Sequence, residues 1–191
     1  MDYNLLNKNT LKIIESLRQG KQGRLYFSQI AEQSKIKSRN NLLKNLNLLS
    51  DSKILVKEQF KGNTFYSLNY SNPLSISILH IIDIIRFNAL VFEKRKPVQE
   101  IIQKIKPSLA VIFGSTAKGN FNKESDIDLL LISEKKPQLI KEISSRYNVK
   151  ISPVIINFEE LDSRNDTIAH ILKTGYPLVG EEYFYEEYKK I

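Results

Sequence analysis

Cysteine is absent from the 191 residues of this chain. Without thiols the chain has neither a disulfide framework nor a zinc–thiolate site, which is typical of a cytoplasmic protein. The start of the sequence also lacks a basic segment followed by an apolar one, so we expect no secretory signal peptide. Internal repeats and low-complexity segments are absent as well. We therefore expect a globular cytoplasmic protein.

An uninterrupted apolar run is also missing. Residues 73–96 come nearest to one, but His80, Asp83 and Arg86 interrupt them. A charge at the centre of a membrane-spanning helix costs about 2.5 to 3.5 kcal/mol on insertion scales, so we predict no membrane partner. A helix that is apolar on more than one side needs more than one partner. We predict that residues 73–96 form one helix that joins two domains and makes a homodimer interface, with Asp83 and Arg86 paired.

Positive charge is concentrated in the N-terminal third. Residues 1–72 hold twelve Lys and Arg against five Asp and Glu, whereas residues 73–191 hold seventeen against sixteen. The formal net charge of +8 therefore comes almost entirely from the first third. A basic domain is electrostatically suited to a phosphate backbone, although basic surfaces also occur for solubility.

The order of predicted elements in this third resembles the winged helix-turn-helix of prokaryotic transcription regulators. Apolar spacing and turn residues predict three helices and then two strands, at 10–18, 29–34, 39–49, 54–60 and 64–68. Ser28 and Ser38 are the predicted caps of the second and third helices, and Lys61-Gly62-Asn63 is the predicted hairpin turn. Aromatic side chains here are expected to be core: Tyr26, Phe27, Phe60, Phe65 and Tyr66.

This resemblance implies double-stranded DNA as a partner. In such proteins the third helix enters the major groove through its N-terminal residues, and the wing touches the neighbouring backbone. The matching positions are Lys37, Ser38, Arg39, Asn40, Asn41, Lys44 and Asn45 on the helix, and Lys57, Lys61 and Asn63 on the wing. The alternative is that the domain binds a protein or mediates dimerisation, as other winged helices do.

A second pattern occupies residues 111–132, which read VIFGSTAKGNFNKESDIDLLLI. The apolar run at 109–113 predicts a buried strand that stops at Gly114, where the chain turns without a Cβ penalty. Ser115 then lies at the start of a turn or short helix, where its hydroxyl and neighbouring N–H groups can face an anion such as phosphate.

Two carboxylates stand at the entrance of the next apolar run. Because side chains alternate along a strand, Asp126 and Asp128 are predicted to share one face. Both faces are apolar beyond Asp128, which predicts an interior strand. Adjacent carboxylates repel each other unless a cation intervenes, and oxygen ligands of this kind suit Mg²⁺ held together with substrate phosphates.

The order and spacing of these residues resemble the nucleotidyltransferase superfamily named after DNA polymerase β, and most of all its minimal bacterial and archaeal members. The family signature matches Phe113, Gly114-Ser115, the spacer 116–125 and Asp126-Ile127-Asp128-Leu129. The resemblance implies a two-metal Mg²⁺ site on Asp126 and Asp128, which are also the catalytic carboxylates. It further implies a nucleoside triphosphate, ATP first among them, bound at Gly114, Ser115 and Lys118. The alternative for Lys118 is a lysine that is merely exposed.

The third carboxylate of this family is missing from its expected strand. The predicted strand at 149–157 contains no acid, and Ser152 stands where the pattern places one. Glu159 and Glu160 follow the strand and are expected to flank the next helix. A positioned general base raises a reaction rate by about 10²- to 10⁴-fold, so its loss alone slows transfer without abolishing it.

We therefore predict an α+β protein with three parts. They are a winged helix-turn-helix domain at 1–72, linker and dimerisation helices at 73–106, of which the second is a short helix at 97–106, and a nucleotidyltransferase-fold α/β domain with a small mixed sheet at 107–191. In the last part, helices are expected at 137–147 and 165–174, and a tail at 176–191 that packs at the surface.

Three functions fit this sequence. The leading one is an Mg²⁺-dependent enzyme that transfers a nucleoside monophosphate to a hydroxyl acceptor. The second is a nucleotide-sensing transcription regulator with a degenerate active site. The third is an antitoxin-type DNA-binding protein that works beside a small helical protein partner. Since one fold hosts many functions, details of the site must decide among them.

Overall fold

The computed structural model describes residues 3–19, 23–118, 125–134 and 137–191. The chain divides into two compact units, Met1–Ile82 and Asp83–Ile191. The division falls inside one helix, α4 (Pro73–Asn88). In the described part of the chain, no helix is long and apolar enough to cross a membrane.

The first unit contains helices and a small antiparallel sheet. In chain order its elements are a 3₁₀ helix (Tyr3–Leu6), α1 (Lys8–Gln19), β1 (Arg24–Tyr26), α2 (Phe27–Ser34), α3 (Arg39–Asp51), β2 (Leu55–Phe60) and β3 (Asn63–Leu68). The strands lie in the order β1-β3-β2. Buried aliphatic side chains from α1, α2 and α3 form its core: Ile13, Ile14, Leu17, Ile30, Leu42, Leu46 and Leu49.

Local signals set most of these boundaries. Ser38 caps α3 as predicted, because its hydroxyl accepts a hydrogen bond from the N–H of Asn41. Lys61 and Gly62 make the two-residue hairpin turn, both with positive φ, as a tight turn of this handedness requires. The first two helices begin earlier than predicted. The Asn7 side chain accepts from the N–H of Asn9 and Thr10, and α2 begins at Phe27.

The two helices predicted at 73–96 and 97–106 are present, but the break between them comes earlier in the chain than predicted. After α4 the chain turns at residues 89–91, and α5 (Phe92–Ile105) follows. Phe87 and Leu90 lie on either side of the end of α4, and both are buried in the core of the second unit. Arg95 donates a hydrogen bond to the carbonyl of Asn88 and so satisfies the end of α4.

The second unit is built on a mixed four-stranded sheet, which confirms the predicted sheet type. Its elements after α5 are β4 (Leu109–Phe113), α6 (Gly114–Ala117), β5 (Ile127–Ile132), α7 (Pro137–Tyr147), β6 (Ile151–Ile156), α8 (Asp166–Thr174), β7 (Tyr176–Val179) and α9 (Glu181–Tyr188). The order is β6-β5-β4-β7, so β5 is interior as predicted. It pairs antiparallel with β4 and parallel with β6.

The tail is part of the core and not a surface segment, contrary to the prediction. Its residues 176–179 form β7, which pairs with β4. Tyr176, Phe184 and Tyr185 are at most 1% exposed. Gly180 permits this close approach, since its φ is +72° and a Cβ there would collide with the carbonyl of Ser108.

Candidate functional site

The predicted phosphate turn and the second aspartate meet at the end of β4. Phe113 and Asp128 are paired across β4 and β5, and α6 begins at Gly114 with φ at +67°. A Cβ built on Gly114 would lie 2.9 Å from Cγ of Asp128 and still closer to its Oδ2. Glycine is therefore required at position 114 for two reasons: the backbone conformation is left-handed, and the carboxylate of Asp128 leaves no room for a Cβ.

Asp126 lies directly before β5 and is already hydrogen bonded. Its Oδ2 is 2.6 Å from Nζ of Lys150 and accepts a hydrogen bond from Oγ of Ser152 at 3.2 Å. Its backbone carbonyl accepts from the buried hydroxyl of Thr116 in α6 at 3.1 Å. The hydrogen bond from Lys150, helped by Ser152, lowers the pKa of the Asp126 carboxyl below its usual value.

The pKa of Asp128 moves in the opposite direction. Burial raises it first, and the negative charge of Asp126 raises it further, while Lys150 and Lys94 act against the rise. The two carboxylates are thus close enough to interact, as predicted from their spacing. A partly buried carboxylate beside a second one is stabilised by any cation that joins them.

A buried lysine contacts the backbone directly before this pair of aspartates. Lys94 in α5 is 2% exposed, and its Nζ donates to the carbonyl of Ser125 at 2.6 Å. Burial lowers the pKa of Lys94, whereas the charges of Asp126 and Asp128 act to raise it. Buried charges persist in proteins when they are paired. This ammonium therefore fixes the backbone immediately before Asp126.

A hydroxyl stands where the family resemblance predicts a third carboxylate. Strand β6 pairs with β5 so that Ser152 stands opposite Asp128. Glu160 is used in a local turn, where it exchanges hydrogen bonds with Asn157. In the described parts of the chain, no group of three or more His, Cys, Asp or Glu side chains is placed to hold a metal ion.

Arg86 contacts the short helix α6. Its guanidinium donates to the carbonyl of Ala117 at 3.0 Å and lies 4.8 Å from the ring centroid of Tyr176. Asp83 lies 3.9 Å from Arg86 and accepts a hydrogen bond from the Tyr185 hydroxyl, so the predicted pairing of Asp83 with Arg86 is confirmed.

Sequence reasoning missed several of these contacts. Lys94, Lys150 and Arg86 reach the site from elements distant in sequence, and no local motif marks them. Of the predicted phosphate-binding residues, Lys118 follows α6 and is exposed. Residues 119–124 of the predicted spacer lie outside the described residues.

The predicted DNA-contacting side chains of the first unit are exposed, with one exception. Those at the surface are Lys37, Ser38, Arg39, Asn40, Asn41, Lys44, Lys57, Lys61 and Asn63. Asn45 is 5% exposed and donates to the carbonyl of Asn41 while accepting from Asn7, so its predicted base contact was wrong. The core prediction was also wrong for Tyr26 and Phe60, which are 38% and 49% exposed.

Comparison with known proteins assigns the second unit to a family. The sequence model of the nucleotidyltransferase domain matches residues 94–177, which include both aspartates and Gly114. A protein of Methanocaldococcus jannaschii, named “Putative protein adenylyltransferase MJ0141”, is 36% identical over 86 residues, or 40% of this chain and 80% of the relative. The chain belongs to the nucleotidyltransferase domain family. The family predicted from the Gly-Ser and Asp-x-Asp pattern is thereby confirmed.

A second relative agrees with this family assignment. “Putative protein adenylyltransferase MJ1305” of the same organism is 30% identical over 109 residues, which are 47% of this chain and 74% of that protein. A crystal structure described as a toxin-antitoxin with AMP-PNP covers 52% of this chain and 86% of its own, at 18% identity and a TM-score of 0.39. A likeness at that level carries no argument about this chain.

Proposed function

We propose that the protein transfers a nucleoside monophosphate, AMP in the first instance, from a nucleoside triphosphate to a hydroxyl group of a protein acceptor. Family membership supports the reaction class. The names of two relatives support ATP and a protein acceptor. The observation that carries the proposal is the pair Asp126 and Asp128 at the start of β5, with Asp128 packed against Gly114.

The donor set of this pair fits Mg²⁺. Magnesium is usually bound by one or two carboxylates together with substrate phosphates. Asp126 and Asp128 would hold the ion, which would offset charge on the phosphates and polarise the reacting phosphoryl group. The raised pKa of Asp128 marks a carboxylate whose ionised form gains from a nearby cation.

The protein's own groups bind and orient the reactants. Gly114, Ser115 and Lys118 are proposed to hold the triphosphate. The acceptor oxygen forms a bond to the α-phosphorus as the bond to the bridging oxygen breaks, and pyrophosphate leaves with the electron pair. The acceptor proton passes to water, because Ser152 and not a carboxylate stands opposite Asp128. We therefore expect transfer that is slow by about 10²- to 10⁴-fold relative to a site with a positioned base.

Calorimetry tests the proposal without knowledge of the acceptor. ATP, GTP, CTP and UTP are titrated with and without Mg²⁺ into the native protein and into the Asp126→Asn, Asp128→Asn double variant. We expect Mg²⁺-dependent binding of ATP that the double variant loses and that the exposed control Asp166→Asn keeps. If no nucleotide binds to the native protein, the transfer function is wrong.

A second proposal concerns the first unit, which we infer to be a winged helix that binds double-stranded DNA. Its order of three helices and a hairpin supports this, as do its basic excess and its exposed side chains on α3 and the β2–β3 turn. Nucleotide binding would then regulate transcription by changing DNA affinity, and DNA would change nucleotide affinity by the same factor.

Salt dependence tests the DNA proposal. Each phosphate contact contributes about −0.9 to the slope of log K against log salt. Arg39→Ala with Lys44→Ala should therefore make the slope shallower by about 2, measured by anisotropy of a labelled duplex. The exposed control Lys141→Ala should leave it unchanged. Equal slopes for the native protein and the double variant would show that Arg39 and Lys44 do not contact the DNA phosphates.

The predicted homodimer stays a proposal and is placed on α4. Ile81 and Ile85, one helical turn apart, are 41% and 54% exposed, and Phe92 at the start of α5 is 59% exposed. We propose that Ile81 and Ile85 on α4 meet their copies in a second chain. Sedimentation should show a dimer that Ile81→Glu with Ile85→Glu converts to a monomer; a native monomer at micromolar concentration contradicts it. The small helical protein partner remains a prediction.

A further inference from the structure

The carboxylate pair is accompanied by two lysines. Nζ of Lys150 lies 2.6 Å from Oδ2 of Asp126, and Nζ of Lys94 is bonded to the carbonyl of Ser125. The charges of both aspartates act on both lysines. Two positive and two negative side chains therefore share the site, and Ser152 adds a hydroxyl where another carboxylate would have made the sum negative.

A divalent cation that arrives alone meets little net attraction at such a site. It has to compete with Lys150 for Asp126, whose Oδ2 already has two hydrogen-bond donors. A nucleoside triphosphate brings several negative charges of its own. In its presence the site can hold both the cation and the lysines without a surplus of positive charge.

The two lysines differ in their freedom to move. Lys94 is buried in α5 and held by a backbone carbonyl. The Lys150 side chain is 75% exposed, so it can leave Asp126 with little loss of packing. Lys150 is therefore the group that a metal ion can displace and that a phosphate can attract.

We propose that Lys150 is a displaceable counterion that makes binding of a divalent cation at Asp126 and Asp128 depend on a bound nucleoside triphosphate. The cation and the triphosphate enter together, and the Lys150 ammonium moves from Asp126 toward the phosphates. This coupling rests on the proposed nucleotide-binding function, whereas the competition between Lys150 and the cation rests on the geometry of Asp126.

The test uses Mn²⁺ as the probe, because its electron paramagnetic resonance signal reports free ion directly. The full-length native protein, Lys150→Met and the control Lys141→Met are titrated with and without α,β-methylene-ATP, which lacks the bond that transfer breaks. Lys141 is exposed in α7 of the same unit and makes a matched control. Circular dichroism verifies that each variant is folded.

Without nucleotide, we expect Lys150→Met to bind Mn²⁺ about tenfold more tightly than the native protein and Lys141→Met to match the native protein. The analogue should tighten Mn²⁺ binding by the native protein about tenfold more than by Lys150→Met. Equal Mn²⁺ affinities of the native protein and Lys150→Met, both without nucleotide, would overturn the counterion role.

The same titrations distinguish failure of the proposed transfer function from failure of the proposed Lys150 coupling. If the analogue binds to no variant, the transfer function fails and the nucleotide coupling fails with it, whereas a gain of Mn²⁺ affinity in Lys150→Met still supports the competition. If the analogue binds but tightens Mn²⁺ equally in both proteins, the coupling fails and the transfer function stands.

Discussion

The carboxylate of Asp128 packs against the α-carbon of Gly114. No side chain fits between them, since a Cβ on residue 114 would come within 2.9 Å of Cγ of Asp128. The turn after β4 and the second aspartate of β5 are therefore sterically coupled. We expect a change at one to displace the other.

Substitution of Gly114 by alanine tests this coupling. We expect Gly114→Ala to lower the free energy of unfolding by about 1 to 3 kcal/mol, because φ there is positive, and to abolish Mg²⁺-dependent nucleotide binding. Gly62→Ala is the matched control: φ is +77° there and no atom lies within 4 Å of the added Cβ. It should lose stability but keep binding. Urea denaturation and calorimetry measure both, and native-like binding by Gly114→Ala would contradict the coupling.

Ser152 offers a gain-of-function prediction. Its hydroxyl already bonds to Asp126 and it stands opposite Asp128. We expect Ser152→Asp to tighten Mn²⁺ binding and to accelerate transfer by up to about 10²-fold, since it supplies a third carboxylate. The same variant should be less stable in EDTA because three like charges then adjoin.

Ser152→Asn is the control for this prediction, because it has the same size without the charge. It should show neither tighter Mn²⁺ binding nor the loss of stability in EDTA. If Ser152→Asp and Ser152→Asn bind Mn²⁺ equally, position 152 does not contribute to a metal site.

The hydrogen bond from Tyr185 to Asp83 anchors the C-terminal helix. Its length is 2.7 Å, and Asp83 is fully buried. Removal of a buried donor leaves a carboxylate oxygen less satisfied, so we expect Tyr185→Phe to cost about 1 to 3 kcal/mol of unfolding free energy. Tyr183→Phe removes the same hydroxyl from a side chain that is 42% exposed, and it should be nearly neutral. Equal urea midpoints for the two variants would show that the buried bond adds nothing.

Glu100 makes stability depend on pH in the acid range. It contacts Lys104, Arg146 and Tyr147 at 2.8, 2.6 and 2.9 Å. Hydrogen bonds from Lys104 first, then from Tyr147 and Arg146, lower the pKa of Glu100 from 4.5 to about 2. The folded state therefore holds this proton less tightly than the unfolded state. The ionised carboxylate stabilises the fold above the unfolded pKa, and this contribution is lost as the pH falls toward the folded pKa.

We accordingly expect Glu100→Gln to be less stable than the native protein at neutral pH, and the difference to shrink as the pH falls from 4.5 to about 2. Urea denaturation across this range measures it. The exposed Glu142 of α7 provides the control variant Glu142→Gln, for which a much smaller change is expected. A difference that stays constant with pH would show that the ionised form of Glu100 is not stabilised by its neighbours.

Several features were predictable because they depend on residues a few positions apart. The run of residues 109–113 forms β4 with the predicted bounds, and the helix at 137–147 is α7. Ser38 caps its helix, and Lys61 with Gly62 makes the hairpin turn. A cap or a turn is a local hydrogen-bonding and dihedral requirement, so the sequence contains all that decides it.

The wrong predictions concern which side chains are buried, because burial depends on residues that are distant in the sequence. The tail was predicted at the surface because its four Glu residues suggest solvent, yet Tyr185 bonds to Asp83, 102 residues away. The apolar segment 73–96 was predicted as one helix, but α4 ends at Asn88 and α5 begins at Phe92, and side chains on both sides of this break are buried in one core. Hydrophobic periodicity shows that a side chain is apolar, not which core receives it.

For the candidate site, the sequence by itself determined the family, the glycine at 114, the two aspartates of the strand and the absence of an acid at Ser152. Only the tertiary structure decided that Lys94 and Lys150 stand beside those aspartates, and that Asp128 rests on Gly114. A lysine has no spacing rule that ties it to a carboxylate on another element. Its partner is fixed by strand pairing and helix packing, and these bring Lys94 to the carbonyl of Ser125, 31 residues along the chain.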